Sequence, residues 1–261
     1  MTAMVLTIVM IFTVSTLCLQ ITTYADGSGS IQLSIYSMHG NGSSASSAGL
    51  DLGHAWLVVE NETDNDYSFY NTTLSSGETV SIGTWGNVID LDTGSLYQGA
   101  WLNLEAQAEL GTQNTASLTI TITSQQLSAV SQKCIQMNAW DLFNNCSYFA
   151  STIWNSVAPS DMQVNSYFFP ANFPATLKDS IQNIDGHENN RSFAYNDYTG
   201  YCTNSTTFKY VAPENYTLSS GRSINNYTSF PEEYSRMTMT ELRREMAKYY
   251  SGEIIRRNEN G

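Results

Sequence analysis

The chain is 261 residues long, 41% hydrophobic and 12% aromatic, which is enough apolar content to build a core and too much for global disorder. That length holds one sizeable domain with an appendage, or two small domains. A formal net charge of -13 excludes a general nucleic-acid binder, because phosphate recognition needs a basic surface. The acidity also serves to keep an exported protein soluble.

The first segment with a pattern is Met4 to Leu19, an apolar run that ends in polar residues and the small-residue approach Thr23-Tyr24-Ala25 before Asp26. It reads as a signal peptide over residues 1–25, placing the mature chain in the secreted or cell-envelope compartment. Met1-Thr2-Ala3 carries no cation, and an uncleaved run would instead anchor the protein in a membrane. Cleavage leaves Cys134, Cys146 and Cys202, an odd count. In an oxidising compartment this suggests one free thiol and one pair. If Cys146 is free, Cys134 and Cys202 form the possible disulfide; three buried reduced thiols are the alternative.

Ser30–Met38 alternates Ile31, Leu33 and Ile35 and predicts a strand, followed by a Gly/Ser-rich loop from His39 to Gly49. His54-Ala-Trp-Leu-Val-Val-Glu60 is the clearest strand, and polar Asn61–Asp66 predicts a turn after it. Further strands are predicted at Tyr67–Asn71, Val80–Trp85, Trp101–Ala108 and Ser117–Thr123, giving a sheet of five or six.

The period then changes. Leu127, Val130, Cys134 and Met137 share a helical stripe, with Thr123-x-x-Gln126 as a capping box. A second helix runs from about Asn145 to Val157, its face formed by Cys146, Phe149, Ala150, Ile153 and Val157. Strands followed by a helical pair predict an α+β domain over residues 26–160, an antiparallel sheet packed against helices. Ten of the eleven Lys and Arg lie from Lys178 onward, which hints at a boundary near 158–178. Residues 161–261 then form an irregular extension with a terminal helix over Thr238–Arg256, opened by Thr238-x-x-Glu241.

Chemistry concentrates on one cysteine. Cys146 opens an apolar-striped helix after Asn144-Asn145, where the helix N-terminus lowers a thiol pKa and the first-turn N–H groups, with the Asn145 side chain, offer an oxyanion site. His54 opens an apolar strand after Gly53 and is the candidate base, whereas His39 and His187 lie in polar, loop-like sequence. No phosphate-cradling Gly loop, Gly-x-Ser-x-Gly elbow or His-Glu-x-x-His helix is present, and Cys and His lack metal-ligand spacing, so no cofactor and no metal are expected. Asp90 and Asp92 flank a turn and read as a solvated acidic loop rather than a Ca²⁺ site.

Taken together, Gly53-His54-Ala55-Trp56-Leu57, Ser81-Ile82-Gly83-Thr84-Trp85-Gly86 and Asn144-Asn145-Cys146-Ser147-Tyr148-Phe149-Ala150 resemble the circularly permuted papain-like (NlpC/P60-like) superfamily, over roughly residues 30–160. In that group the His strand precedes the Cys helix. The resemblance implies a permuted papain-like fold, with Cys146 as nucleophile and His54 as base, and an acyl-enzyme formed from a peptide or peptidoglycan-like amide. It also implies an orienting polar residue on the strand after the His strand, for which Ser81 and Thr84 are the candidates, with Asn71 behind them. A lipid acyltransferase or thioesterase on the same scaffold, or a non-catalytic binding or adhesion module, are the other expectations.

Overall fold

The computed structural model describes residues 29–38, 53–107, 114–141, 144–168, 171–194 and 198–218. The expected signal peptide (1–25), His39 and the expected terminal helix (238–256) lie outside the described residues. The first strands are β1 (Ile31–Met38), β2 (His54–Asn61), the short hairpin β3 (Tyr67–Phe69) and β4 (Thr72–Leu74), β5 (Thr79–Asp90) and β6 (Leu96–Leu102). A one-turn helix α1 (Leu104–Gln107) and β7 (Thr115–Ile122) follow, then α2 (Ser124–Gln136) and α3 (Cys146–Trp154). The remainder is the small hairpin β8 (Tyr167–Phe168) and β9 (Ala171–Asn172), α4 (Pro174–Gln182), β10 (Glu188–Asn189), β11 (Thr199–Cys202), β12 (Phe208–Val211) and β13 (Tyr216–Leu218).

The protein is α+β, built on a nine-stranded sheet in the order β10-β7-β1-β2-β5-β6-β11-β12, with β13 beside the far end of β5. Every pairing among the described strands is antiparallel. The period-2 alternation of side chains gives the sheet two different faces. Ile31, Leu33 and Ile35 of β1, Ala55, Leu57 and Val59 of β2, and Leu118 and Ile120 of β7 point to one side. There they meet Leu127, Val130 and Cys134 of α2, Phe149, Ala150, Ile153 and Trp154 of α3, and Leu177 and Ile181 of α4. The opposite face carries Tyr36, Trp56, Val58, Trp85, Trp101 and Tyr216, a smaller aromatic cluster. Arg191 lies across that second face, paired with Glu60 at 2.9 Å and bonded to Ser34 and Thr119.

Local chemistry sets the helix starts. Thr123 and Gln126 form the reciprocal capping box of α2. Asn145 caps α3, its Oδ1 accepting from the N–H groups of Ser147 and Tyr148 at 3.0 and 3.2 Å. Pro174 occupies the first turn of α4, where its missing N–H costs nothing, and its carbonyl accepts from Ser37 Oγ at 2.7 Å to tie this helix to β1.

Two expectations are corrected. The strand expected over 101–108 ends at Leu102, because Asn103 adopts φ 60° and turns the chain into α1. Asn tolerates this left-handed conformation. It is held here by its Oδ1 accepting from Ser81 N at 2.9 Å and its Nδ2 donating to Tyr198 O at 3.0 Å. The boundary expected at 160 is not a boundary either. β10 pairs with β7, β11 with β6 and β13 with β5, while α4 supplies Leu177 and Ile181 to the main core. Charge distribution follows the surface, whereas domain membership follows shared burial. A chain truncated after residue 160 would leave β6 and β7 with unpaired edges and the core stripped of α4. It should therefore lose the cooperative urea-unfolding transition that the full chain shows, as followed by near-UV circular dichroism.

Candidate active site

β2 and β5 pair from Glu60–Thr79 only as far as Leu57–Ile82, although β2 continues back to His54 and stays paired with β1 to Met38. The two strands part where the His54 end of β2 runs beside Gly83 and Trp85. Into this parting come the His54 imidazole from β2, the N-terminus of α3 carrying Cys146, and Glu105 from α1. All three are buried, with relative exposures of 6%, 8% and 1%.

The His54 imidazole and the backbone N–H of Ala55, a group on the side of β2 that has left β5, both stand close enough to the Cys146 sulfur to act on it. His54 Nε2 lies 3.1 Å from Glu105 Oε1. Glu105 is held by two further donors, Trp85 Nε1 at 3.0 Å to Oε1 and Ser81 Oγ at 2.7 Å to Oε2. Three donors on one fully enclosed carboxyl offset the cost of its burial. Trp85 also packs on the imidazole with ring centroids 4.3 Å apart, and Trp56 stacks on it at 5.6 Å, so the ring has little freedom to turn.

The electrostatics follow from this packing. Burial alone pushes the Cys146 thiol up, but the charge and hydrogen bond of His54, together with the Ala55 N–H, bring it below its ordinary value. For His54, burial acts downward, while Cys146 and then Glu105 act upward and carry the imidazole to about 9. Both shifts act toward a thiolate–imidazolium pair, the form in which cysteine is nucleophilic. By contrast, burial raises Cys134 and Cys202 above the ordinary thiol range.

The line Cys146–His54–Glu105 thus joins two of the expected residues to one that sequence reasoning missed. Thr84 does not orient His54. Val80 and Ile82 face the helical core, and Thr84 keeps their parity, so it points to the sheet face opposite His54; its buried Oγ1 has no hydrogen-bond partner. Ser81 has the right parity but reaches Glu105 rather than His54, and so positions the carboxylate. Asn71, expected behind them, bonds Cys202 Sγ and Ser205 O on another part of the molecule.

Asn145 is likewise reassigned from the oxyanion site. Its Oδ1 caps α3 and its Nδ2 donates to Asn172 O at 2.7 Å, which leaves the Cys146 N–H as the first-turn donor that the cap does not take. The expected disulfide is not formed: Cys134 and Cys202 are free thiols, and Cys202 Sγ donates to Tyr70 O at 3.3 Å. Among the described residues no group of His, Cys, Asp and Glu could hold a metal ion. His187 serves a local turn, its Nδ1 3.0 Å from Ile184 O, and Asp90 Oδ1 accepts from the N–H groups of Asp92 and Thr93.

Gly83 makes the arrangement sterically possible. A Cβ there would collide with Glu105 Oε1 and stand 3.1 Å from His54 Nε2. Compared with family models, with curated proteins and with solved structures, the chain matches none.

Two substitutions separate the faces of β5. Gly83→Ala should displace Glu105 and slow iodoacetamide alkylation of Cys146 by about tenfold or more. Thr84→Val should leave that rate unchanged and stabilise the fold by up to about 1 kcal/mol in urea unfolding, since it removes an unpartnered buried hydroxyl.

Proposed function

We propose that this protein is an exported thiol hydrolase that cleaves amide bonds in peptide or peptidoglycan-like substrates, on a permuted papain-like scaffold. The observation that carries this reading is the buried Cys146–His54–Glu105 line, in which a cysteine at a helix N-terminus acts on an imidazole that is itself hydrogen-bonded to a carboxyl. The apolar leader before Asp26 motivates the export assignment.

In this mechanism the Cys146 thiolate attacks the scissile carbonyl carbon, and the negative charge moves to the carbonyl oxygen, facing the Cys146 N–H. The His54 imidazolium gives its proton to the departing amine as the C–N bond breaks, leaving a thioester. Neutral His54 then takes a proton from water as the water oxygen attacks the thioester. Collapse of that intermediate expels the thiolate and regenerates the ion pair. Glu105 fixes the ring tautomer and stabilises the imidazolium throughout. The same steps on an ester carbonyl would serve a lipid thioesterase or acyltransferase, and competing amide and ester substrates separate these activities.

The pH behaviour distinguishes an activated pair from an ordinary thiol. Alkylation of Cys146 should rise with pH through its lowered thiol pKa, level off at a lower pH than an ordinary thiol does, and hold that rate until His54 deprotonates near 9. In His54→Ala the cation is lost while burial remains, so labelling at about pH 7 should fall at least tenfold and titrate above the ordinary thiol range. Cys134→Ser serves as the background control. An activated ester such as p-nitrophenyl acetate should leave one acetyl group on the wild-type sulfur by mass spectrometry, with p-nitrophenolate released, and none on Cys146→Ser. A thiol that titrates normally and acquires no acetyl group would instead favour a binding module.

The linked effects on stability oppose each other. Between pH 6.5 and about 9, native His54 keeps a proton that its unfolded form has lost, which lowers stability as pH rises. Native Cys146, its pKa lowered, releases its proton at a pH where the unfolded thiol still retains one, which raises stability with pH. The two contributions have opposite signs, so wild-type urea midpoints should fall less steeply with pH over this range than those of Cys146→Ser. Cys146→Ser removes the thiolate, which is the largest influence raising His54, and no offsetting slope remains.

A further inference from the structure

Cys146 opens α3, and the residue after it, Ser147, is fully buried with a side chain that the mechanism above does not use. Its backbone is satisfied: the N–H donates to Asn145 Oδ1 at 3.0 Å, and the carbonyl accepts from Ser151 Oγ at 2.7 Å. Its Oγ is sealed from solvent and bonds to no nitrogen or oxygen of the described residues. The group it stands close enough to act on is the Cys146 sulfur. A neutral thiol is a weak acceptor, whereas a thiolate accepts a charge-assisted hydrogen bond. The buried hydroxyl is therefore costly beside a protonated sulfur and well placed beside an ionised one.

We propose that Ser147 is a positioning residue for Cys146, its hydroxyl donating to the sulfur whenever that sulfur carries charge. This role rests on the thiol-hydrolase reading and completes its resting state. His54 and the Ala55 N–H approach the sulfur from β2, and Ser147 adds a donor from α3 itself. The hydroxyl keeps its own proton throughout: it holds the thiolate before attack and releases it once the sulfur has become a neutral thioester. The titratable groups on the sulfur's side are His54 and, behind it, Glu105 of α1. The other elements packed against α3 bring none to it. Cys134 of α2 lies in the core, Lys178 of α4 donates to Asn114 Oδ1 at 2.8 Å, Lys133 is half-buried and Asp179 is exposed. Tyr36 of β1 is on the opposite face of the sheet, Asp90 is at the far end of β5, and Glu60 at the far end of β2 pairs with Arg191.

The test follows iodoacetamide alkylation of Cys146 against pH in the full chain, for wild type, Ser147→Ala and the hydroxyl-keeping Ser147→Thr. The Ser147→Ala profile should move to higher pH, with labelling about tenfold slower on its rising limb, while Ser147→Thr stays near wild type. Urea midpoints supply a second readout. A lowered thiol pKa stabilises the fold as pH rises through it, and Ser147→Ala loses part of that gain. The variant should thus match or exceed wild type while Cys146 is protonated and fall below it once the sulfur ionises. Thr84→Val, which removes an unpartnered hydroxyl remote from the thiol, should show no such dependence on pH. If Ser147→Ala does not fold, as judged by near-UV circular dichroism, wild type carries the test. Its Ser147 hydroxyl proton, sealed from solvent, should then move downfield in the proton NMR spectrum as Cys146 ionises. Superimposed profiles on a thiol that still titrates low, a stability gain that is the same at every pH, or an unmoved hydroxyl proton would overturn the proposal and leave the hydrolase reading standing. A wild-type thiol that titrates normally would remove that reading and this role together.

Discussion

A carboxyl with 1% exposure, set against an imidazole that is itself buried, is the constraint around which the rest of the site is arranged. Glu105 is tolerated in the interior because Ser81, Trp85 and His54 all direct polar hydrogens at it. Each of those partners sits on the strand face that parity gives it. Gly83, the residue between Ser81 and Trp85, must lack a Cβ so that the carboxyl can come close. The helix end carrying Cys146 then needs only one nitrogen of the same ring and one N–H from the parted edge of β2. A single buried charge network therefore accounts for the parting of β2 from β5, the glycine on β5 and the turn at Asn103.

The two faces of the sheet divide labour. One is a conventional apolar interior against three helices, and it supplies the rigidity that holds α3 in place. The other is aromatic and partly polar, with indole groups of Trp56 and Trp101 that find no partner. Unpaired buried donors are rare in finished interiors.

The late part of the chain completes the sheet rather than decorating it. β10, β11 and β13 add to strands laid down much earlier in the sequence. These pairings span large sequence separations, so their formation depends on the earlier strands being in register first. Tyr198 O, through Asn103, also helps hold the turn that presents Glu105, which makes the late segment part of the site's support.

By itself the sequence determined what local periodicity and capping encode. The alternation of Ile31, Leu33 and Ile35, the His54 strand, the Thr123–Gln126 capping box and the Asn145–Cys146 helix start were all legible, because neighbours within a few residues set them. The pairing of Cys146 with His54 was legible only as a resemblance. Tertiary structure alone decided that Glu105, hidden in a stretch that reads as strand, turns inward after a left-handed Asn103 to orient His54. It also decided that Thr84 faces away, that Asn145 is consumed as a cap, and that Cys134 and Cys202 stay reduced in the core. The reason is that strand parity, turn handedness and shared burial depend on which distant segments pair, and no window along the chain contains both partners.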